Sequence, residues 1–228
     1  MDLSALERPV WNCLTGPQAH LAVASGAAVR IDPGYGPFAA ARDASGEAQA
    51  ALAALLRPGA QVWLVEPAEW PAPRGTRVVR TAPLLQMVAE RPQPLQSGDG
   101  DFLLLGETDA PEMAALARAT EPGPWSASTH LYGTFYGLRE GGRLVAMAGE
   151  RMRPAPGLAE VSGVCTAPEF RGRGLAAKLI RRVMAGFTAR GDVPFLHSYA
   201  GNTAAIRLYE TLGFRPAREM VVTVLALA

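Results

Sequence analysis

A short run of glycines and arginines is the part of this sequence best suited to bind a charged ligand. It follows a predicted strand at 158–166, begins a predicted helix at 172–190, and comprises Arg171, Gly172, Arg173, Gly174, Leu175 and Ala176. Two close glycines allow a turn whose backbone N–H groups converge, and the N-terminus of the following helix adds the positive end of its dipole. The run therefore predicts a binding site for an anion of the pyrophosphate kind.

Other interpretations of this run have less support. Residues 172–177 also match the dinucleotide-binding pattern G-x-G-x-x-G/A, but residues 167–170 separate the glycines from the strand, and Ser198 and Tyr199 occupy the place of the ribose-binding acid. A Walker loop is excluded because no Gly-Lys-Ser/Thr follows Gly172. A glycine-rich turn without a ligand stays open, although two arginines and a helix start share the same six residues.

The composition argues against several classes of partner. With 22 basic and 21 acidic residues the net charge is +1, which provides no overall field to attract nucleic acid or an anionic membrane. The longest apolar run, at 220–228, is too short to span a bilayer, so we expect a soluble, cytoplasmic protein. Cys13, Cys165 and the three histidines are scattered, which predicts neither a disulfide framework nor a metal site.

The elements that must position the glycine run divide into two parts near residues 91–100, where turn formers replace apolar periodicity. We predict an N-terminal α/β segment at 1–98 and a second domain at 99–228. In the first part, the patterns predict strands at 19–31, 61–65 and 76–82, a helix at 45–56 and a short helix after Pro83.

The second part has a clearer pattern. It predicts strands at 102–105, 131–138, 143–153, 158–166, 193–198 and 217–227, and helices at 172–190 and 202–212. A further helix is predicted to begin at Asp109, which together with Glu112 resembles a capping box. This is the order βαβββαβαβ. It predicts an α/β fold of the α+β kind, with helices flanking a mixed sheet.

Two blocks in this part resemble a known superfamily. Arg171-x-x-Gly174-x-Ala176 after a strand is similar to the signature of the GCN5-related N-acetyltransferase (GNAT) superfamily, and Asn202 through Tyr209 to Gly213-Phe214 resembles its second conserved block. The resemblance covers about residue 101 to the C-terminus, and the whole chain resembles bacterial members with an extra N-terminal segment. It implies a mixed, mostly antiparallel sheet and an N-acetyltransferase that uses acetyl-CoA or another acyl-CoA as co-substrate, without a metal.

The resemblance also implies which residues hold the cofactor. Backbone N–H groups of residues 172–176 would bind the pyrophosphate of coenzyme A, and residues 164–166 would pair with its pantetheine arm as another strand would. Cys165 is expected to be a buried packing residue, since nothing nearby would lower the pKa of its thiol. The candidate cofactor-binding residues are Val164, Cys165, Thr166, Arg171, Gly172, Arg173, Gly174, Leu175, Ala176 and Asn202.

Acyl transfer to an amine also needs a proton donor for the departing thiolate and a route for the amine's proton. Tyr209 is the candidate acid, because it follows Asn202 by seven residues, or two helical turns, and so shares its helix face. Glu160 is the candidate base, fourteen residues before Gly174 as in histone-type members, with Glu150 and His197 in reserve. Packing of Tyr209 under the sheet, a solvated Glu160 and a water chain as base remain alternatives.

The acceptor is less well defined by the sequence. The superfamily shapes it with segments that correspond here to residues 121–136 and 215–222. Aromatic residues of the first segment would form an apolar wall or ordinary core: Trp125, Tyr132, Phe135 and Tyr136. A wall of this kind favours a small amine, an amino acid or a peptide N-terminus over a polyamine.

Two functions therefore remain open at this level. The first is direct acetyl transfer from acetyl-CoA to a primary amine in a ternary complex, and the second is a catalytically inactive acyl-CoA-binding protein with a regulatory or structural purpose. Retention of both Glu160 and Tyr209 favours the enzyme. The N-terminal segment could be a degenerate acetyltransferase-like half, a lid or an element that forms a homodimer.

Overall fold

The computed structural model describes residues 2–228. The strands are β1 (Ala22–Ser25), β2 (Ala28–Ile31), β3 (Ala39–Ala41), β4 (Gln61–Glu66), β5 (Thr76–Val88), β6 (Leu103–Leu105), β7 (Phe135–Glu140), β8 (Arg143–Glu150), β9 (Leu158–Thr166), β10 (Val193–Tyr199) and β11 (Arg215–Leu227). The α-helices are α1 (Pro9–Thr15), α2 (Gly46–Leu55), α3 (Ala110–Thr120), α4 (Leu175–Ala189) and α5 (Thr203–Thr211).

An eight-stranded mixed sheet forms the centre of the molecule, in the order β4-β11-β5-β10-β9-β8-β7-β6. Neighbouring strands are antiparallel except β9 and β10, which run parallel. From β6 to β11 the elements follow the order βαβββαβαβ. The predicted fold class, a mixed sheet flanked by helices, is confirmed.

The parallel pair β9 and β10 is joined over only a short length. Residues 193–195 of β10 pair with residues 158–160 of β9, and beyond them the two strands diverge. A bulge shifts the register between β8 and β9 in the same region, and Gly163 on β9 has a φ of +61°. A bulge bends its strand and reverses which side chains face which way, so Glu160 and Val164 do not share a face as they would on a regular strand. The divergence leaves a gap inside the sheet.

Helices cover both faces of the sheet. The apolar side of α4, with Leu179, Ile180 and Val183, packs on one face against β8 and β9. The opposite face is covered by α3 beside β8 and by α1 beside β5, β10 and β11. On α4, Val183 follows Leu179 by four residues and Ile180 by three, as in a helix with one apolar face. Among residues 2–228 no helix is long and apolar enough to cross a membrane.

The N-terminal segment contributes two strands to the main sheet. β5 lies between β10 and β11, and β4 lies on the other side of β11. The remaining strands β1, β2 and β3 form a separate small antiparallel sheet, packed against α2. Ser45 caps α2 by accepting a hydrogen bond from the Ala48 N–H at 3.3 Å. The division of the chain at residue 98 stays a prediction.

Two predictions for the N-terminal segment are wrong. Residues 19–31 form a short 3₁₀ turn and the hairpin β1–β2, which reverses at Gly26 with a φ of +53°. No helix follows Pro83, because β5 continues to Val88. The Pro83 carbonyl accepts a hydrogen bond from Ala200 N, just beyond the end of β10. The proline nitrogen faces the same side of β5, where β10 has already ended. The missing N–H of Pro83 therefore removes no hydrogen bond between the two strands.

Two details of the second part also differ. The strand predicted at 131–138 begins only at Phe135, since Thr129 donates to the Tyr35 carbonyl at 2.9 Å and fixes a short turn there. The predicted capping box of α3 is absent, because the Asp109 carboxylate accepts from Gly106 N and the Glu112 carboxylate accepts from Leu144 N. Thr129 with Tyr35 and Glu112 with Leu144 are contacts between distant parts of the chain, which local patterns do not reveal.

Candidate active site

A cavity of about 640 Å³ occupies the gap between β9 and β10. On the α4 and α5 face its lining includes Gly172, Ala176 and Tyr209. On the opposite face it includes Arg151 and His197. The cavity therefore joins the two faces of the sheet through the point where the strands diverge.

The glycine run forms an open loop at one end of this cavity. Gly172 and Gly174 have φ values of +77° and +74°, and Gly174 is the residue that precedes the first turn of α4. A Cβ atom on either glycine would meet nothing within 4 Å. These glycines are therefore required by the left-handed backbone and not by tight packing between helix and sheet. The space that a side chain would fill stays free for a ligand beside the N–H groups.

The arginines of the run are held beside the loop. Arg171 donates from Nε to the Thr166 carbonyl at 3.3 Å and lines the cavity. Arg173 points the other way and forms an ion pair with Glu140 at 2.9 Å. Leu175 is half-buried at the start of α4. Of the two cations, only Arg171 is in position to contact a ligand in the cavity.

Residues 164–166 of β9 line the same cavity. The Thr166 hydroxyl is buried and has no hydrogen-bond partner among the described residues. Cys165 is buried, and burial raises the pKa of its thiol to about 12. The thiol stays protonated at neutral pH, which agrees with a packing role and not with a nucleophile.

Asn202 and Tyr209 share one face of α5 and both line the cavity. The Asn202 side chain caps the helix by accepting from Ala205 N at 3.3 Å. The Tyr209 ring packs edge-on against Phe214, and burial raises the pKa of its hydroxyl. Within residues 2–228 that hydroxyl has no hydrogen-bond partner, so it is a protonated donor directed to the cavity.

Glu160 is completely buried and does not line the cavity. Arg151 donates to its carboxylate through Nε at 2.9 Å and Nη2 at 2.8 Å, and His197 Nδ1 lies 2.8 Å away. Burial alone would raise the pKa of this carboxyl, but the charge and hydrogen bonds of Arg151, together with His197, lower it to about 2. Glu160 is thus a permanent anion that is already paired.

His197 connects this ion pair to the N-terminal segment. Its Nε2 lies 2.9 Å from Gln86 Nε2, and the same Gln86 amide donates to the Leu6 carbonyl at 3.0 Å. Because the amide nitrogen is a donor, Nε2 must accept and Nδ1 must donate to Glu160. Both ring nitrogens are therefore engaged.

The other candidate base, Glu150, lies outside the cavity. Its carboxylate pairs with Arg190 at 3.0 Å and with Arg153 at 3.3 Å. Asp192 joins the same two arginines. The acidic residue that the cavity lining does include is Glu121, at the end of α3, whose φ of +47° is unusual for a residue other than glycine.

The aromatic residues that the sequence assigned either to an acceptor wall or to ordinary core do not line the cavity. Trp125 packs edge-on against Phe135, Tyr132 packs against Tyr35, and Tyr136 lies under Arg182. From the predicted acceptor segments, only residues 121–124 and Val222 reach the cavity. The residues that line this part of the cavity instead were not predicted from the sequence: Phe38, Trp63, Val65, Leu84, Arg151 and Met152. The alternation of Trp63 and Val65 was visible, but not the sheet that β4 would join.

No ligand set for a metal is present within residues 2–228, where no group of three or more His, Cys, Asp or Glu side chains is placed to hold an ion. What the cavity brings together is a glycine loop at a helix N-terminus, an unpaired phenol and a gap between parallel strands. These features suit transfer of a group from a phosphate-bearing carrier.

Comparison with known proteins agrees with this arrangement. Residues 135–222 match the family described as FR47-like protein. A crystal structure from Novosphingobium aromaticivorans, described as an acetyltransferase of the GNAT family, is 62% identical with a TM-score of 0.93, and the match covers 98% of this chain and 99% of that one. This level of identity over almost the full length shows a shared family and not only a shared fold.

More distant relatives show the fold or a part of the chain. A GCN5-related N-acetyltransferase from Kribbella flavida is 21% identical, with a TM-score of 0.62 and coverage of 100% of this chain and 96% of that one. N-alpha-acetyltransferase RimI from Mycobacterium tuberculosis is 37% identical over 91 residues, which are 39% of this chain and 55% of that protein. The match thus spans about half of that relative's length. From its fold, its site and its full-length relative, the chain belongs to the GNAT family of acetyltransferases.

Proposed function

We propose that this acetyltransferase moves the acetyl group of acetyl-CoA directly to a primary amine of a small molecule, an amino acid or a peptide. The observation that carries the proposal is the cavity through the sheet, which joins the glycine loop to the Tyr209 hydroxyl and continues to the opposite face. Both substrates can occupy such a cavity together, so no acyl-enzyme is needed. The partial match to an N-alpha-acetyltransferase supports an amine acceptor.

The cofactor end of the cavity fits coenzyme A. Backbone N–H groups of residues 172–176 would hold the pyrophosphate, with Arg171 beside it. The open space around Gly172 and Gly174 allows the phosphates to approach the backbone closely. Main-chain groups of residues 164–166 would hold the pantetheine arm in the gap. Bound there, acetyl-CoA supplies the thioester that reacts.

Tyr209 would act as the general acid. During transfer the amine nitrogen bonds to the acetyl carbon, the carbon–sulfur bond breaks, and the Tyr209 hydroxyl gives its proton to the departing sulfur. Its raised pKa keeps the hydroxyl protonated at neutral pH until that moment. The proton released by the amine nitrogen leaves through cavity water, and solvent returns a proton to Tyr209.

Glu160 is better suited to position its neighbours than to act as a base. A carboxylate with a pKa of about 2 is a weak proton acceptor, and this one faces Arg151 and His197 instead of the cavity. His197 is also a poor base in this arrangement, because Gln86 occupies its Nε2. We therefore propose water as the immediate proton acceptor and Glu160 as the residue that fixes Arg151 and His197.

The test measures binding and turnover separately. Coenzyme A should raise the melting temperature of the protein, and acetyl-CoA with a panel of amines should release free thiol. Tyr209→Phe should lower kcat by about 10²-fold or more while the shift in melting temperature stays unchanged. Tyr199→Phe is the matched control, because Tyr199 also lines the cavity but its hydroxyl already accepts from Arg80 at 3.0 Å.

Three results would contradict the proposal. The first is a wild-type protein whose melting temperature does not change with coenzyme A. The second is tight binding of coenzyme A without thiol release for any amine, which would indicate a binding protein. The third is equal loss of kcat in Tyr209→Phe and Tyr199→Phe, which would remove the assigned acid.

A further inference from the structure

The part of the cavity away from the glycine loop is built largely by the N-terminal segment. Phe38 directly precedes β3, Trp63 lies on β4, and Leu84 lies on β5. Together with Met152 and Val222 they form an apolar wall on the face of the sheet opposite to α4 and α5. We call this part the acceptor chamber. Its walls suit an apolar group of a small molecule.

One cation lies in the wall of the acceptor chamber. The Arg151 guanidinium stands 4.8 Å from the centroid of the Phe38 ring, and its side chain keeps 13% of its surface exposed. Arg151 uses Nε and Nη2 to bind Glu160. Its Nη1 has no hydrogen-bond partner among residues 2–228, and it is not one of the fully enclosed polar atoms there. The remaining N–H donors are therefore available to a ligand.

The surrounding charges make this donor selective for an anion. Glu160 is saturated by Arg151, His197 and the Met152 N–H, so it cannot accept from a ligand amine. Within the described chain, Glu121 is the only acidic side chain in the cavity lining. Outside the cavity lining, the Arg80 guanidinium lies 4.8 Å from the Trp63 ring centroid and adds a second positive charge behind this wall. A polycationic acceptor would meet the Arg151 guanidinium here and, among the described residues, no free carboxylate beside it.

We propose that the acceptor is a free apolar α-amino acid whose carboxylate is held by Arg151 Nη1 and whose side chain packs against Phe38, Trp63 and Leu84. The inference rests on the proposed acetyl transfer and names its acceptor class. A peptide N-terminus offers an amide carbonyl in place of the carboxylate and so lacks the charge-assisted hydrogen bond. A polyamine lacks both the carboxylate and the apolar body.

Equilibrium binding of the reaction product tests the anchor without any turnover. The probes are N-acetyl-L-phenylalanine and its carboxamide, titrated by calorimetry into the protein saturated with coenzyme A. They differ only in the group that would meet Arg151. The acid should bind about tenfold more tightly or better, which is the usual gain from a hydrogen bond to a charged group. Equal affinities, or tighter binding of the amide, would overturn the proposal.

A variant pair connects this preference to Arg151. Arg151→Lys keeps a positive charge beside Glu160 but removes the Nη1 donor, so the preference for the acid over the amide should fall to about twofold or less. Arg153→Lys is the matched control, since Arg153 pairs with Glu150 and Asp192 outside the cavity and should keep the preference. Retention of the preference in Arg151→Lys would contradict the assignment. The wild-type comparison decides the case even if that variant does not fold.

Turnover separates this inference from the function on which it rests. Thiol release with phenylalanine at a kcat/KM at least tenfold above that for phenylalaninamide and spermidine supports both. Equal kcat/KM for the amide or for spermidine overturns the acceptor class and leaves acetyl transfer intact. Selective binding of the acid product without thiol release for any amine supports the anchor and overturns the transfer.

Discussion

Glu160 carries a negative charge in the interior of the protein, where an unpaired ion would cost many kcal/mol. Two hydrogen bonds from Arg151, the His197 ring and the Met152 N–H compensate for its lost hydration. An acidic residue in an apolar strand was visible in the sequence, but its partner Arg151 is not identifiable from spacing alone. A glutamate at this position that faced cavity water could act as a catalytic base, whereas a paired one holds its neighbours in place. Only the contacts of the side chain distinguish these two roles.

Because of the Glu160 carboxylate, the free energy of unfolding should decrease as the pH falls into the acid range. The pKa of this carboxyl falls from an ordinary value of 4.5 to about 2 on folding, so its contribution is complete above about pH 5 and is lost as the pH falls towards 2. We expect Glu160→Gln to lower the free energy of unfolding by about 3–5 kcal/mol at pH 7, because Arg151 is left without its partner. The difference from the wild type should shrink at pH 3.

Urea denaturation at pH 7, 5 and 3 measures this difference. Glu140→Gln is the control, because Glu140 forms an ion pair with Arg173 that is half exposed on both sides, and its loss should cost less than about 1 kcal/mol at every pH. A deficit for Glu160→Gln that is constant from pH 7 to 3 would show that the carboxylate's charge does not contribute.

At the scale of elements, β9 determines the shape of the site. Its first residues pair with β10, and Gly163 then adopts a left-handed conformation that bends the strand away. A Cβ atom at Gly163 would lie 2.8 Å from the Phe135 ring. The bulge therefore depends on glycine for both its backbone and its packing, and the gap between the strands depends on the bulge.

Gly163→Ala should destabilise the protein by about 2 kcal/mol or more, from the left-handed backbone and the displaced Phe135 ring. It should also reduce the rise in melting temperature produced by coenzyme A.

Gly186→Ala within α4 is the control, because its Cβ would meet nothing within 4 Å and alanine favours a helix. That variant should gain up to about 1 kcal/mol. Thermal denaturation with and without coenzyme A measures both, and an equal response of the two variants would be evidence against a special role for Gly163.

Local patterns predicted these elements unequally well. Apolar alternation and helical periodicity were sufficient for the order βαβββαβαβ and for α5, which was predicted at 202–212 and forms at Thr203–Thr211. They failed at Pro83, because proline usually ends a strand. Pro83 is tolerated within β5 because it lies opposite Ala200, just beyond the end of β10, and local sequence does not reveal that contact. For Trp125 and Tyr132 local patterns left an acceptor wall and ordinary core both open, because core and ligand-facing aromatic residues have the same sequence pattern, and the structure shows the packing of core residues.

At the scale of the whole molecule, the two predicted parts of the chain share one sheet. β5 forms backbone pairs with β10 on one side and with β11 on the other. The linker between the parts is also anchored, by an ion pair of Asp99 with Arg181 and by the Lys178 ammonium on the Gly98 carbonyl. The turn formers at residues 91–100 predicted a linker, but nothing local shows that a strand before this segment inserts between two strands after it.

Residues 99–228 alone should therefore fail to fold into a soluble monomer, because removal of β5 leaves β10 and β11 without their shared neighbour and uncovers Phe195, Met220 and Val222. Proteolytic cleavage of the full-length protein at an engineered site within residues 94–97 is the control, and it should leave both pieces associated and folded. Size-exclusion chromatography and circular dichroism measure the outcome. A soluble, cooperatively unfolding 99–228 piece would instead support an independent second domain.

The position of β5 also has a consequence for synthesis on the ribosome. Its partner β11 lies at 215–227, so residues 89–214 must be translated before the strand can pair on that side. At about 5–20 residues per second, β5 waits on the order of ten seconds with open edges. Arg77, Arg80 and Pro83 interrupt its apolar residues, and charges and proline within a strand hinder pairing with other nascent chains. The arginines and the proline that made β5 hard to recognise as a central strand would thus protect it from aggregation until β10 and β11 have been synthesised.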